Sequence, residues 1–357
     1  MVISNMKNKI KAILRKYPRL LYIQKCVSGM KNPDFVNIMT EEEGTVLRIR
    51  NATNHIYGID DNHSKTQYNI NINTAGDGFF ALYRATLNYL YFADMLSMEP
   101  LVIWGREIAY TEIDDSELGD NAFLYYFDII NDGYEAIGTY KVDSIWAHQS
   151  FAESFKGYDE SGYGYNNSYI RLLGRVARKY ISINEITQEK LDLDVSKLCN
   201  MDKTLGVHIR GTDYKQQCKN HPTMVGIDDY FIAVDKAIKK DGYEFIFLAT
   251  DDKELLEQFI NKYGTMVFFY DDVIRLSGKE SVAFSRNDRK RHNYLLGYEV
   301  LRDAYTLSLC NGFIGSMSQV GIGVRILKAS KEQEFSYLEI LDKGINKKGK
   351  DFERPDK

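Results

Sequence analysis

The sequence predicts an α/β protein built from two Rossmann-like domains that face each other across a cleft. Three observations predict it. The C-terminal half alternates short apolar runs with amphipathic helical stretches, the rhythm of a parallel sheet with helices on both faces. A second strand–helix–strand unit occupies the N-terminal half. The chain has 357 residues, more than one hydrophobic core usually fills. The expected division is 1–200, 201–330 and a C-terminal extension, 331–357.

In the N-terminal half, Tyr68 to Ile72 alternates polar and apolar residues and reads as a strand. Thr74 to Gly78 is a loop, Phe79 to Leu96 a helix that stops before Pro100, and Leu101 to Trp104 the next strand. The acidic, tyrosine-rich stretch from Glu107 to Gly164 assigns no element by its pattern. Asn167 to Tyr180 is helical, with Leu172, Leu173, Val176 and Tyr180 inward. In the C-terminal half, strands are expected at Thr204–Ile209, Tyr243–Ala249, Met266–Tyr270 and Phe313–Ile314. Helices are expected at Asp228–Lys240, Asp252–Tyr263, Asn293–Cys310 and Gln319–Lys328.

Composition narrows the function classes. Apolar residues make up 44% and charged residues 27%, the balance of an ordinary globular chain. A net charge of −4 argues against duplex nucleic acid as a partner. Cys26, Cys199, Cys218 and Cys310 are too scattered for a disulfide framework or a zinc site, so a reducing, cytoplasmic setting is expected. No stretch reaches the ~20 apolar residues of a membrane span. Lys7 to Lys16, continuing to Ile23, is basic and amphipathic. It suits either a solvated terminal helix or peripheral contact with the inner face of an anionic membrane.

Four motifs carry chemistry. His208-Ile209-Arg210-Gly211-Thr212-Asp213 sets an arginine at the end of a buried-type strand, where its fork of donors suits a phosphate or an ion pair with Asp213. Thr250-Asp251-Asp252 follows another apolar strand and suits ligand contact or a helix cap; as a metal pair it lacks a third ligand. Gly315-Ser316-Met317-Ser318-Gln319 joins a strand to a helix, where backbone N–H groups can meet a phosphate or simply form a capped turn. Gly76-Asp77-Gly78-Phe79-Phe80-Ala81 fits the dinucleotide pattern G-x-G-x-x-A. The acidic residue that should end the next strand is replaced by Gly105-Arg106, so a tight turn facing the cleft is the simpler reading, with Asp77 within reach of a ligand.

Taken in order, the first three motifs resemble the α1,6-fucosyltransferase family over roughly residues 206–329. The family's strand-end signature H-x-R-R-x-D stands here as His208-Ile209-Arg210-Gly211-Thr212-Asp213. His221-Pro222, the intact L-A-T-D-D at Leu248 to Asp252, Asp303 on a long helix and Ser316-Met317-Ser318-Gln319-Val320 follow in the family's order. The resemblance implies a GT-B fold and a metal-independent, inverting transferase. It uses GDP-fucose or a related GDP-sugar as donor and needs no separate cofactor. It implies Arg210 at the β-phosphate, His208 and Asp303 at guanine, and Ser318 and Gln319 at the diphosphate. Thr250, Asp251, Asp252, Ser316, Gly76 and Gly78 would complete the donor site. The N-terminal domain would take the acceptor, a bacterial surface glycan that suits a lipid-linked carrier. Two departures stand out: Gly211 replaces the second arginine, and Lys215-Gln216-Gln217-Cys218 offers no match for the family's carboxylate. Asp213 and Asp77 are the candidate bases by chemistry. Two other classes fit parts of the sequence: an NAD(P)-dependent oxidoreductase using Gly76 to Ala81, and a nucleotide-sugar-binding protein without catalysis.

Overall fold

A computed structural model describes residues 54–56, 67–95, 99–130, 139–142, 167–198, 200–278, 282 and 287–350. The basic stretch at 7–23 lies outside them, as do Cys26 and Cys199. By contact the chain falls into Met1–Leu47 and Arg48–Lys357, and everything below concerns the second unit.

Its first sheet is built from β1 (Asn54–Ile56), β2 (Gln67–Ile72), β3 (Glu99–Trp104) and, later in the chain, β5 (Thr139–Val142). Between β2 and β3 runs helix α1 (Phe79–Met95), and β4 (Phe127–Ile129) precedes β5. The sheet order is β1-β5-β2-β3; β5, β2 and β3 are parallel and β1 is antiparallel. Phe79, Trp104, Phe123, Tyr126 and Phe127 pack edge-on or tilted around one another, every one buried. Such rings bury 150–250 Å² apiece, so this cluster accounts for much of the aromatic excess in the composition.

The chain continues through α2 (Asn167–Tyr180), β6 (Ile181–Ile183), which pairs with β4, and α3 (Glu185–Ser196). A second sheet follows: β7 (Thr204–Ile209), α4 (Ile227–Asp241), β8 (Phe245–Thr250), α5 (Lys253–Tyr263), β9 (Val267–Phe268), α6 (His292–Leu309), β10 (Gly312–Ser316), α7 (Gln319–Ser330) and β11 (Tyr337–Leu341). All five strands are parallel, in the order β11-β10-β7-β8-β9. The α/β architecture with two parallel-centred sheets is therefore the one the sequence led us to expect. The segment read only as an extension carries β11, an edge strand of this second sheet.

β7 shows why a near-continuous apolar run forms a central strand: all six residues are buried. Leu205, Val207 and Ile209 join the core formed with Tyr230, Val234, Leu255 and Phe259 of α4 and α5. Gly206 faces the other way. A Cβ there would meet the Leu307 side chain at 2.9 Å and Cys310 at 3.3 Å, so glycine lets α6 lie close against the strand.

Close contacts also join the two sheets' helices. A Cβ on Gly174 of α2 would strike Ala329 of α7 at 2.7 Å, and one on Gly323 of α7 would strike the Phe80 ring of α1 at 2.0 Å. Small residues thus let α7 nest between α1 and α2.

Candidate active site

The chain steps from β7 to β8 to β9 in one direction, then crosses back to form β10 and β11 on the other side of β7. Connections therefore diverge between β7 and β10, and such a reversal leaves a crevice beyond the carboxyl ends of the strands. Arg210 leaves the end of β7 and Ser316 to Gln319 leave the end of β10, so both motifs flank this crevice.

Asp251, at the end of β8, organises the β7 side. Its carboxylate accepts the N–H of Gly211 (2.9 Å), the N–H of Thr212 (3.4 Å) and the Thr212 hydroxyl (2.8 Å). It also pairs with Arg210 Nη1 at 2.8 Å. Burial pushes this carboxyl up, but the Arg210 charge and the bonds from the Gly211 N–H and the Thr212 hydroxyl outweigh it and hold the group below the ordinary carboxylate value. Arg210 is thereby held as a fixed cation, its side chain 24% exposed at the crevice. The ion pair seen for Arg210 is with Asp251. Asp213 opens the short turn Asp213–Gln216, and its side chain lies outside the described residues.

Thr250 and Asp252 are committed to the turn behind Arg210. Asp252 caps α5, accepting from Glu254 N–H (2.9 Å) and Leu255 N–H (3.2 Å), while Thr250 Oγ1 accepts from Asp252 N–H (3.2 Å). Asp252 also pairs with Lys215, a residue that sequence reasoning had passed over. Burial lowers the Lys215 pKa, but the bond to Asp252 outweighs it and the ammonium is held above its ordinary value. Asp251 and Asp252 thus point to different partners and share no common ligand position. Among the described residues, no group of three His, Cys, Asp or Glu converges to hold a metal.

Gly211 now has a physical reason. A Cβ there would stand 2.4 Å from Asp252 Cβ, so no arginine fits at this position without moving the cap of α5. Lys215 supplies a cation against the same carboxylate.

On the β10 side, Ser318 caps α7 by accepting the Gly321 N–H at 2.9 Å. Its Oγ stands 3.5 Å from Nδ1 of His208. His208 is buried; burial and then the neighbouring Arg210 charge push its pKa down to about 4, so the ring is neutral at physiological pH. Gln319 opens α7, and its Oε1 is buried without a hydrogen-bond partner among the described residues. Ser316 is buried at the end of β10. The helix N-terminus and these polar side chains form an anion-favouring edge facing Arg210.

Asp303 belongs to the same crevice by register. Leu307 of α6 packs on Gly206. One helical turn back, about 6 Å, is Asp303; two residues along β7, about 6.6 Å, is His208 on the same strand face. Ala249 is paired with His208 across β7 and β8. Asp303 Oδ1 is buried without a hydrogen-bond partner among the described residues, and burial, opposed by Arg275 and Arg302, pushes its pKa up to about 7. Arg275 escaped the sequence reading because it lies on a loop with no periodic pattern. That loop is tied to the end of β8 by Leu276 N–H to Asp251 O, 3.0 Å.

The Gly76–Gly78 loop leads from the first sheet into α1. Phe80, next to it, is the residue that nests at Gly323 of α7. Gly76 has φ 90°, a left-handed value that favours glycine, and Asp77 Oδ2 accepts the Thr74 hydroxyl at 2.7 Å. The first amide of α1, Phe79 N–H, donates to the Tyr110 hydroxyl at 2.9 Å.

No protein-family model matches the chain, and no curated protein sequence is similar to it. Solved structures are. NodZ α-1,6-fucosyltransferase soaked with GDP-fucose has a TM-score of 0.47 and 15% identity, over 74% of this chain and 93% of that one. Fucosyltransferase NodZ from Bradyrhizobium gives the same values. POFUT1 in complex with GDP has a TM-score of 0.42 and 9% identity, over 78% of this chain and 98% of that one. Identity this low, with TM-scores below 0.5, says nothing by itself about activity, and the functional reading rests on the side chains described above.

Proposed function

We propose that the chain is a glycosyltransferase that takes fucose or a related deoxysugar from its GDP-sugar and passes it, with inversion and without a metal, to a glycan hydroxyl. The observation that carries this reading is the fixed cation Arg210 standing across a sheet reversal from the capped N-terminus of α7. A nucleoside diphosphate leaving group develops charge, and preorganised donors stabilise it where other transferases use a cation. Arg210 takes the β-phosphate, with Ser318, Gln319 and the first turn of α7 on the remaining oxygens. The slot between neutral His208 and Asp303 takes guanine, whose ring N–H and amino group donate to the carboxylate.

In the reaction the acceptor oxygen bonds the anomeric carbon as its bond to the diphosphate oxygen breaks. The acceptor proton passes to a carboxylate, for which we assign Asp77 on the cleft-facing loop. The acceptor we assign is a surface glycan on a lipid carrier. The basic stretch Lys7 to Lys16, outside the described residues, supports it by suiting an anionic membrane face. An NAD(P) site at Gly76 to Ala81 is disfavoured, because the Tyr110 hydroxyl occupies an amide that would face the pyrophosphate. Hydrolysis of GDP-fucose tests catalysis: the wild type releases GDP and Arg210→Ala does not. A wild type that binds GDP yet neither hydrolyses the donor nor transfers to any glycan would instead be a binding protein.

A further inference from the structure

Residues 210–226 join β7 to α4, a connection longer than the ~12–15 residues usual without regular structure. It is anchored at several points along its length. Asp251 fixes its start, as described. In the middle, the Tyr214 hydroxyl donates to Met317 O at 3.1 Å, which hangs the loop over the turn leading into α7. The outer part, 217–223, contains two left-handed non-glycine residues, Gln217 (φ 51°) and Asn220 (φ 64°). Such a backbone persists only where its surroundings enforce it.

What enforces it is a segment more than a hundred residues later in sequence. After β11 the chain turns back and lies along 217–223. Lys219 N–H donates to Lys350 O, Asn220 N–H to Asn346 O and Thr223 N–H to Gly344 O, each at 2.9 Å. Asn346 is the hub: its N–H donates to His221 O (2.9 Å), its Oδ1 accepts the Thr223 hydroxyl (2.9 Å), and its Nδ2 lies 3.4 Å from Cys218 O and 3.5 Å from Pro222 O. Gly349, at φ 145°, passes where any Cβ would strike Gln217 O at 2.4 Å. The segment is therefore shaped to fit this loop.

We propose that residues 342–350 are a built-in strap of the active site, and that Asn346 is a positioning residue that pre-orders the loop over the α7 turn for nucleotide binding. The proposal rests on the nucleotide reading of the crevice. A loop ordered in advance removes an ordering cost from binding. Removing the hub then weakens the ligand without removing any contact to it.

The test uses the full chain. GDP affinity is measured by calorimetry, and amide hydrogen exchange is followed along 204–226. Asn346→Ala is expected to weaken GDP about tenfold, to raise exchange at 217–223 and to leave that of β7 unchanged. Thr223→Val, a milder change at the same bond, shifts both readouts in the same direction. Lys343→Ala, which removes only the exposed pair with Asp229, moves neither. If Asn346→Ala does not fold, Thr223→Val decides. Wild-type GDP affinity in these variants, or exchange at 217–223 that does not change, overturns the strap. A wild type that does not bind GDP overturns the nucleotide reading itself, a separate result.

Discussion

Arg210 began as a cation at a strand end with two uses, a ligand's phosphate or a structural pair. The structure shows the second: Asp251 holds it, and the proposed phosphate contact rests on that hold. Its neighbour Gly211 is as constrained. Gly211→Ala puts a methyl 2.4 Å from Asp252 Cβ, so it should destabilise the chain by about 1–3 kcal/mol, read as a lower denaturation midpoint at unchanged m. Asp303 gives a pH signature. Its carboxyl titrates near 7 in the fold against an ordinary 3.8, so the folded state binds this proton more tightly. The stability it contributes is full below about pH 4 and is lost as pH rises through 7. Asp303→Asn should therefore match the wild type at low pH and exceed it at pH 8, with the gap widening by at most about 1.4 kcal/mol per pH unit in between. Thermal melts from pH 4 to 8 check this; a gap that widens towards acid would contradict it. The proposed guanine contact needs the ionised carboxylate, so GDP affinity should fall as pH drops below 7.

The elements were legible where pattern and chemistry agreed. β7 is a mostly apolar run that forms at the expected residues, and α7 carries its cap in sequence and starts at the expected Gln319. β11 was missed because Tyr337 to Leu341 is short, carries Glu339 and follows a charged stretch, so nothing in its period separates it from a tail. Helix α3 was missed for a related reason: Glu185 to Ser196 has only Thr187 and Leu191 buried. The donor motifs were readable because each sits at a strand end. Lys215 and Asn346 were not, because their partners lie across the fold rather than along the chain. Helix contact decides one prediction here. Gly323→Val forces the Phe80 ring away from α7 and should lower both stability and GDP affinity, because the moved helix carries Ser318 and Gln319 at its start. Ser318→Ala should cost about 1 kcal/mol through the lost cap alone.

Across the molecule, the two sheets are tied by more than α7. The Tyr126 hydroxyl donates to Tyr294 O at 2.9 Å and fills the notch at Gly297, where a Cβ would meet it at 2.2 Å. Arg291, at the start of α6, pairs with Asp115 at 2.7 Å and with Glu117. Tyr294 N–H donates to Glu112 at 2.9 Å. With so many joints the two sheets should unfold together, giving a single calorimetric transition for this unit. Two separated transitions would show that the halves are independent. The central claim is that the crevice takes a guanine nucleotide through Arg210 and the α7 turn. Calorimetry with GDP, UDP and NAD, in the presence of a metal chelator, tests it most directly. Binding of GDP in preference to the others, reduced at least tenfold in Arg210→Ala, is the expected result. No affinity for GDP, or a preference for UDP or NAD, would contradict it.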